Sequence, residues 1–430
     1  MSGKGRGAEA VLSAVCEAFQ ATNQMPMAGG GSGAHVVRLF QRDGSSVVAK
    51  YQARGTALVD GHGPEALRQK VLQTRLIREQ LPALLPYCAD VIAEFERQDA
   101  YGFVMPYYPG QTLTERMLSG ESDGRQELQT VVETLIERGF SRCAFESRPG
   151  NFVQSHVHRV LRRLDLVMSN LPLAIASAER LNINGIETGH ARELLERLMS
   201  RRQLLARLEP QQLSLPVHGD AVLSNFIWRD QERGAPEFVA IDPRGELAPM
   251  DPTYDFAKMF FSLSIYDLAM AAGFSVRVLQ RGRCLRVQLN LRRELASYCH
   301  AARGFFDLLE GIRALAQMAP GGAASWRERT LYATAMHCLA FAACTLATRP
   351  ERDVVNGSSA RSAKRQAMLG FYLAGLASLA ALLEGEETGR RLETGAYLRV
   401  LWRAGAEPPP EIAQPLEQGG PVARSPGAAG

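Results

Sequence analysis

One stretch, residues 215–255, constrains the chain more than any other part of the sequence. Asp220 follows a short apolar run, and Asn225 lies five residues beyond it. Two short apolar segments come next, separated by polar turn residues, and the second segment ends at Asp242. This pattern predicts a loop followed by a β-hairpin, with three oxygen-bearing side chains gathered at one end of the hairpin.

Two carboxylates and one amide oxygen in this arrangement suit the transfer of a phosphoryl group. One carboxylate can accept the proton of a hydroxyl, and the other can hold magnesium together with the amide oxygen. Asp and Asn beside glycine are also ordinary turn residues. The ordered set, with a hairpin between its parts, is far more specific than a single turn and favours the functional interpretation.

The tripeptide His-Gly-Asp at residues 218–220, then Asn225, then a strand that ends at Asp242, resembles the aminoglycoside phosphotransferase and choline kinase family, whose members are relatives of the protein kinases. The resemblance implies that Asp220 is the catalytic base and that Asn225 and Asp242 are the ligands of Mg²⁺. It also implies that His218 holds the loop in place.

The same resemblance implies an α+β, two-lobed protein-kinase-like fold, with a small N-terminal antiparallel sheet lobe and a larger, mainly helical C-terminal lobe. Residues 1–108 are expected to form the nucleotide-binding lobe, and residues 109–404 the helical lobe with the catalytic loop and the acceptor site. Residues 405–430, rich in Pro and Gly, are expected to be a disordered tail.

A glycine-rich run lies between two apolar segments near the N-terminus, and its backbone N–H groups can cover phosphates. Its residues are Gly29, Gly30, Gly31, Ser32 and Gly33. The next strand, residues 46–50, resembles the Val-Ala-Ile-Lys strand of kinases, which implies that Lys50 reaches the nucleotide phosphates. The following helix, residues 64–80, corresponds to the kinase helix that carries a glutamate, and in kinases that glutamate pairs with this lysine. Glu65 and Glu79 are the candidates, and the sequence also allows that neither pairs.

Residues 90–95 and 101–108 predict two further strands, and the second runs into a connector. This part resembles the hinge between kinase lobes, which implies that backbone groups from Met105 to Tyr107 hydrogen-bond the adenine. A plain strand with aromatic packing is the alternative. Residues 112–207 are predicted to be helical. On one of these helices Arg159, Arg162 and Arg163 are interpreted as a solvated face, although they could line the entry of an anionic substrate.

Charge and cysteine content exclude several other classes of protein. The net charge is +4, from 49 basic and 45 acidic residues, and the arginines are spread out, so no nucleic-acid partner is expected. Seven cysteines without a C-x-x-C pair indicate reduced cytosolic thiols rather than a disulfide framework or a zinc site. Two uncharged stretches, 331–348 and 367–383, approach the length of a membrane span. Because they are only moderately apolar, they are predicted to be buried helices of a cytoplasmic protein with no membrane partner.

The sequence therefore predicts an ATP-dependent phosphotransferase, with ATP and Mg²⁺ as cofactors, that moves the γ-phosphoryl group to a hydroxyl of a small molecule. An aminoglycoside-like antibiotic, an amino alcohol, a sugar and a nucleoside all remain open as acceptors, as does GTP in place of ATP. The chain lacks the Ala-Pro-Glu pattern of protein kinases after Asp242, which argues against a protein substrate. The alternative is a catalytically idle kinase-fold binding protein. A nucleic-acid binder is less favoured.

Arg244 carries a separate hypothesis. Pro243 and Gly245 flank it and stiffen the turn, so its guanidinium should point in a defined direction. It could bind a phosphate or an acidic acceptor in bidentate fashion. The preferred interpretation is a structural pair with Asp251 or Asp255.

Overall fold

The computed structural model describes residues 6–27, 33–53, 59, 62–97, 100–142, 144–229, 236–280, 284–318, 323–347, 360–390 and 394–402. The strands are β1 Ala21–Pro26, β2 His35–Gln41, β3 Ser46–Ala53, β4 Ala93–Arg97, β5 Ala100–Pro106, β6 Gln111–Thr112, β7 Ala144–Glu146, β8 Arg180–Ile183, β9 Ile186–Thr188, β10 Gln212–Ser214, β11 Phe226–Trp228, β12 Phe238–Ala240, β13 Phe274–Gln280 and β14 Cys284–Leu291. The α-helices are α1 Arg6–Ala18, α2 Pro64–Gln80, α3 Leu113–Ser119, α4 Arg125–Arg138, α5 His158–Met168, α6 Leu173–Ala176, α7 Ala191–Ser200, α8 Arg202–Leu208, α9 Thr253–Phe261, α10 Asp267–Ala272, α11 Ala296–Glu310, α12 Arg313–Met318, α13 Ala323–Ala347, α14 Ala360–Glu387 and α15 Thr394–Leu401.

The N-terminal lobe is a five-stranded antiparallel sheet in the order β1-β2-β3-β5-β4. Helix α1 covers one face and α2 covers the other, so every residue of β3 after Ser46 is buried. Because side chains alternate along a strand, Val47, Ala49 and Tyr51 pack in the cluster with α1. Lys50 therefore lies on the opposite face of the sheet, the face that α2 covers.

Helix α2 has the bounds that the sequence predicts, residues 64–80. Pro64 stands at its first position, where a missing N–H is harmless and the fixed φ suits a helix. Pro82 follows Leu81 and disfavours further helix. The buried face of α2 carries Leu67 and Val71, which pack against β5, and it also carries polar residues that point toward the other lobe.

The C-terminal lobe is built around two long helices, α13 and α14, which pack against one another and against α9 and α5. They contain most of the two uncharged stretches that the sequence predicts to be buried. The segment Ser362–Glu387 is long and apolar enough to cross a membrane by length and composition, but 89% of its most apolar window is buried inside the protein. Such burial is that of a core helix.

The prediction that residues 112–207 are helical is wrong in part. The segment contains β7, β8 and β9, and β8 pairs in parallel with β14 to complete a four-stranded sheet in the order β13-β14-β8-β9. Residues 276–290 alternate in a way that fits a strand as well as a helix, and their described part lies in β13 and β14. Alternate residues of β14 are buried, so its period of two reflects one face on the core. The pairing of β8 is long-range and leaves no local signal.

A hairpin of β11 and β12 lies close to the connection between the lobes, because β6 pairs with its β11 edge. Phe226 pairs with Ala240 and Trp228 with Phe238 in register. Phe226 and Phe238 are fully buried, with ring centroids 5.9 Å apart, and fix the hairpin on the core. The architecture is therefore the predicted two-lobed α+β fold, with the hairpin at the junction.

Candidate active site

The hairpin brings Asn225 and Asp242 to the same end, as the sequence predicts. The Ile241 N–H donates to the Asn225 carbonyl over 2.9 Å, so the residues that enter and leave the hairpin lie side by side. Asp242 has φ 57°, a left-handed conformation that few residues other than glycine adopt. This conformation turns the chain after β12, and strained backbone conformations of this kind cluster at functional sites.

His218 fastens the loop to the hairpin. Its Nε2 lies 3.0 Å from the Ile241 carbonyl, and its Nδ1 accepts the Asp220 N–H at 3.3 Å. Burial lowers the pKa of His218. A neutral ring that donates from Nε2 and accepts at Nδ1 satisfies both contacts. The predicted role of His218 as the residue that holds the loop matches this geometry.

Gly219 makes the turn of the loop possible. It has φ 75°, and a Cβ at this position would lie 2.8 Å from Cβ of Arg244, which packs directly against it. Only glycine meets both conditions without strain or a clash. Arg244 is fixed in turn, since its N–H donates to the His218 carbonyl over 2.9 Å.

Asp255 anchors the loop from α9. Its carboxylate accepts the N–H groups of His218 at 2.9 Å and Gly219 at 2.7 Å, and the residue is fully buried. Burial raises the pKa of Asp255 to about 7, although both N–H groups stabilise its charged form. Asp255 thus orients the backbone that carries Asp220 and does not itself face an acceptor.

Asp255→Ala is expected to destabilise the protein by about 3 kcal/mol, because two buried N–H groups lose their acceptor at roughly 1–3 kcal/mol each. Urea unfolding measures this free energy. Asp267 is the matched control, since it is also buried and accepts hydrogen bonds from Ser262 and Tyr298. Asp267→Ala should destabilise without lowering turnover of the folded fraction, whereas Asp255→Ala should lower both. Unchanged stability in Asp255→Ala would contradict the anchoring role.

Asp220 lies in the loop with its side chain 32% exposed, so a ligand can reach it. Its Oδ1 is 2.8 Å from Nζ of Lys258 on α9. Burial raises the pKa of Asp220, but Lys258 and Lys70 outweigh burial and lower it to about 2. The group is therefore a carboxylate at neutral pH. Sequence reasoning missed Lys258, although its position three residues after Asp255 places both on one face of a helix.

Asp242 joins the two lobes. Its Oδ1 lies 2.6 Å from Nζ of Lys50 on β3 and 2.6 Å from Nζ of Lys70 on α2. Burial raises the pKa of Asp242, but Lys50 and Lys70 outweigh it, and the net direction is strongly downward. A strand lysine from a five-stranded lobe thus meets an aspartate that follows the hairpin of the helical lobe, beside a His-Gly-Asp loop. The chain has a protein-kinase-like fold.

Comparisons with known proteins find distant similarity to solved structures. No protein-family profile and no curated protein sequence matches the chain. Among solved structures, an aminoglycoside phosphotransferase from Streptomyces rimosus is 20% identical, covers 59% of this chain and 83% of its own, and has a TM-score of 0.37. A provisionally named fructosamine-3-kinase from Haemophilus somnus is 12% identical, covers 86% of this chain and 99% of its own, and has a TM-score of 0.42. Because these identities and TM-scores are low, the functional argument rests on the geometry of the site.

The kinase-like glutamate that should pair with Lys50 is not found on α2. Glu65 is exposed and lies 3.6 Å from Arg68, and Glu79 is exposed. Lys70 and Gln73 face the site instead. The Gln73 amide donates to the Val217 carbonyl over 2.5 Å, and its oxygen accepts the Gly245 N–H at 2.5 Å. Helix α2 therefore holds the His-Gly-Asp loop through the Gln73 amide, and it contributes a second cation rather than a counter-charge.

Asn225 and Asp242 have the atoms that magnesium needs. The Asn225 amide nitrogen donates to the Asp220 carbonyl over 2.8 Å, which leaves the amide oxygen as the atom for a metal. Both lysines lie on Oδ1 of Asp242, and in the described part of the chain nothing donates to its Oδ2. The described residues contain no group of three His, Cys, Asp or Glu side chains that could hold a metal. Two protein oxygens fit Mg²⁺, which usually takes its other ligands from phosphates and water.

The structure describes only some of the residues that are predicted to contact the nucleotide. Gly29, Gly30, Gly31 and Ser32 lie outside the described residues, while Gly33 has φ 70° just before β2, which pairs with β1. Met105 lies on β5 and lines one cavity with Lys70 and Asp242. The Tyr107 N–H donates to the Ser46 carbonyl over 3.2 Å. An adenine contact near the hinge therefore has to use other backbone groups than this N–H, and it stays a prediction.

Arg244 does not make the structural pair that the sequence analysis prefers. Asp251 pairs with Arg329 at 2.9 Å, and Asp255 accepts backbone N–H groups. The Arg244 guanidinium instead lies over the ring of Tyr254, 4.7 Å from its centroid. Burial, together with the nearby charges of Arg159 and Arg163, lowers the pKa of Arg244 to about 9.

The arginine-rich face of α5 is only partly solvated, contrary to the preferred interpretation. Arg162 is exposed, but Arg163 is 7% exposed and contacts the Ala340 carbonyl at 3.3 Å. Arg159 is half-buried and donates to the Tyr254 hydroxyl over 2.6 Å. The helix turns these two cations inward, toward the side of the site where Arg244 lies.

Proposed function

We propose that the protein is an ATP-dependent phosphotransferase that moves the γ-phosphoryl group to a hydroxyl of a small molecule. One observation carries the proposal: a reachable carboxylate, Asp220, lies in the loop that ends at Asn225, and Asn225 and Asp242 bring two magnesium-type oxygens to one end of the hairpin. Lys50 of the other lobe lies 2.6 Å from Asp242. A hydrolase does not need a lysine from a separate lobe at this place. A phosphotransferase does, because the nucleotide binds between the lobes.

Asp220 orients the acceptor hydroxyl and takes its proton as the oxygen attacks. The new bond joins that oxygen to the γ-phosphorus, while the bond from the phosphorus to the bridging oxygen breaks and ADP leaves. A carboxylate with a pKa of about 2 is a weak base, so the proton moves late and positioning supplies most of the rate. Lys258 holds the carboxylate in place from 2.8 Å.

Lys50 and Lys70 bind the phosphates of the nucleotide. Both ammonium groups lie on one oxygen of Asp242, so an incoming triphosphate offers them stronger partners and frees that carboxylate. Mg²⁺, held by Asn225 and Asp242, would neutralise charge on the phosphates when bound. The nucleotide-binding role of residues 1–108, with the run from Gly29 to Gly33, belongs to the same proposal.

The acceptor is proposed to be a small molecule, and the compartment to be the cytoplasm. The six cysteines that the structure describes are free thiols, which supports a reducing compartment. The absence of the Ala-Pro-Glu pattern after Asp242 supports a non-protein acceptor.

A catalytically idle binding protein is the second candidate, and one observation favours it. Helix α2 provides Lys70 where an active kinase provides a glutamate, so Asp242 already has two cationic partners at 2.6 Å. An idle protein would bind nucleotide without turnover.

ADP release separates the two candidates. The purified chain is incubated with ATP and Mg²⁺ and a set of small alcohols, and ADP is measured by a coupled assay, with GTP tested in parallel. We expect acceptor-dependent ADP release that disappears without Mg²⁺. Tight ATP binding with no release for any acceptor would favour the idle protein.

A further inference from the structure

A group of cations lies near Asp220, and it is centred on Tyr254. Arg159 donates to the Tyr254 hydroxyl over 2.6 Å, and Arg244 covers the Tyr254 ring with its Cζ 4.7 Å from the centroid. Tyr254 and Lys258 stand four residues apart on α9 and so share a face. The two guanidinium groups are thus one helical turn from the lysine that holds Asp220.

Arg244 is also tied directly to the catalytic loop. Its backbone N–H donates to the His218 carbonyl, and its Cβ packs on Gly219, the residue before Asp220. Burial lowers the pKa of Lys258, and the nearby charges of Arg159 and Arg244 also lower it, while Asp220 raises it.

These cations are short of counter-charge. Neither Arg159 nor Arg244 forms an ion pair with any carboxylate of the described residues, while Arg329 in the same region pairs with Asp251 at 2.9 Å. Asp220 is already paired with Lys258. Glu246 raises the pKa of Arg244 from a distance, but its carboxylate accepts the Ala248 N–H. Two half-buried guanidinium groups without a carboxylate are costly unless a ligand brings the anion.

Polar atoms around Tyr254 also lack partners. Nε of Arg159, Nδ1 of His156 and Nε2 of His337 are buried and make no hydrogen bond within the described residues. His156 stacks on the Tyr254 ring at 5.1 Å, and His337 meets it edge-on at 4.7 Å. Buried polar atoms without partners are uncommon in folded proteins, and three of them meet around one ring here.

From this geometry we infer that the acceptor carries an anionic group, a phosphate or a carboxylate, which Arg159 and Arg244 bind while its hydroxyl faces Asp220. The inference rests on the proposed function, because it specifies the acceptor of that same site. Arginine binds both anions in bidentate fashion. Cationic acceptors, such as polyamine antibiotics and quaternary amino alcohols, would meet Arg159, Arg244 and Lys258 with like charge and are disfavoured.

Matched acceptors test the inference without any mutation. Glycerol, glycerol 3-phosphate and glycerate differ only in the charged group, as do ribose and ribose 5-phosphate, and choline and kanamycin provide the cations. Phosphoryl transfer from ATP is measured for each compound. We expect the anionic member of a set to exceed its neutral parent by at least about ten-fold in kcat/KM, which corresponds to about 1.4 kcal/mol. The comparison of phosphate with carboxylate shows which anion the site prefers. Equal use of the neutral parent, or a preference for choline or kanamycin, would overturn the inference.

Inorganic phosphate serves as a probe when no acceptor in the set reacts. Calorimetry measures its binding to the wild type, to Arg159→Gln and Arg244→Gln, and to Arg192→Gln as a charge-matched control. Arg192 lies on α7 with its side chain 62% exposed. We expect phosphate binding to weaken at least about ten-fold in the two site variants and to persist in the control.

The outcomes distinguish a failure of this inference from a failure of the proposed function. Phosphate binding that depends on Arg159 and Arg244, with no transfer to any compound, would support the anion site and count against the phosphotransferase. Transfer to neutral or cationic alcohols, with phosphate binding insensitive to both arginines, would retain the phosphotransferase and overturn the anion site. If either glutamine variant fails to fold by circular dichroism, Arg159→Lys and Arg244→Lys replace it, since each keeps the charge but loses the bidentate contact.

Discussion

Asp220→Asn is expected to lower turnover by a factor of about a hundred or more and to leave ATP binding close to that of the wild type. General-base catalysis is typically worth roughly 10²–10⁴-fold, and Asp220 acts on the acceptor rather than on the nucleotide. Asparagine preserves the size of the side chain but cannot take the proton. It also releases Lys258 from its ion pair at 2.8 Å.

Steady-state kinetics and equilibrium ATP binding measure the two parts of this expectation separately. Asp165→Asn is the matched control, because Asp165 lies on α5 with its side chain 90% exposed and pairs with Arg192 at 3.4 Å. The control should behave as the wild type does in both assays. Turnover near the wild-type rate in Asp220→Asn would remove Asp220 from the chemistry.

Asp242→Ala is expected to raise the Mg²⁺ requirement, to lower the rate and to destabilise the fold. A hard cation loses one of its few protein oxygens. Lys50 and Lys70, both buried, lose the carboxylate that they share. Removing one partner from a buried ion pair destabilises by about 3–5 kcal/mol.

A Mg²⁺ titration of activity and urea unfolding check these effects. The double variant Asp242→Ala, Lys70→Met should recover part of the lost stability, since one uncompensated ammonium group is gone, but it should not recover activity. A Mg²⁺ curve identical to that of the wild type would mean that Asp242 is a turn residue. Unchanged stability would mean that the two lysines find other partners in the fold.

The His-Gly-Asp loop and the hairpin are predictable because the sequence patterns that specify them are local. His218, Asp220, Asn225 and Asp242 lie within one short stretch, and the two apolar segments between them read directly as strands. The two-lobed fold, which the structure confirms, is predictable for the same reason. The order of elements follows from patterns that each span only a few residues.

The second cation, by contrast, depends on contacts that no local pattern encodes. Lys70 contacts Asp242, which is 172 residues away in the sequence. The kinase resemblance suggests a glutamate on α2, not a lysine. A faint signal existed, because Lys70 follows the apolar Leu67 by three positions and Gln73 precedes the apolar Ile77 by four, so both polar residues lie at core-facing helical spacing. Polar residues on a buried face call for partners.

Arg244 shows a different limit of sequence reasoning. The rigid turn between Pro243 and Gly245 correctly indicates a fixed direction, but direction alone does not reveal the partner. Asp251 and Asp255 are near in sequence, yet each has other partners in the fold. The ring of Tyr254 becomes the neighbour of Arg244 only through the packing of α9.

Phosphorus NMR of the reaction mixture tests the central claim most directly. The chain is incubated with ATP, Mg²⁺ and the best acceptor from the ADP screen, and the Asp220→Asn variant is run beside it. We predict a new phosphate-ester resonance on the acceptor, growing in step with ADP and absent with the variant. Release of ADP with inorganic phosphate alone, or an ester that forms equally with Asp220→Asn, would contradict phosphoryl transfer to a hydroxyl at this site.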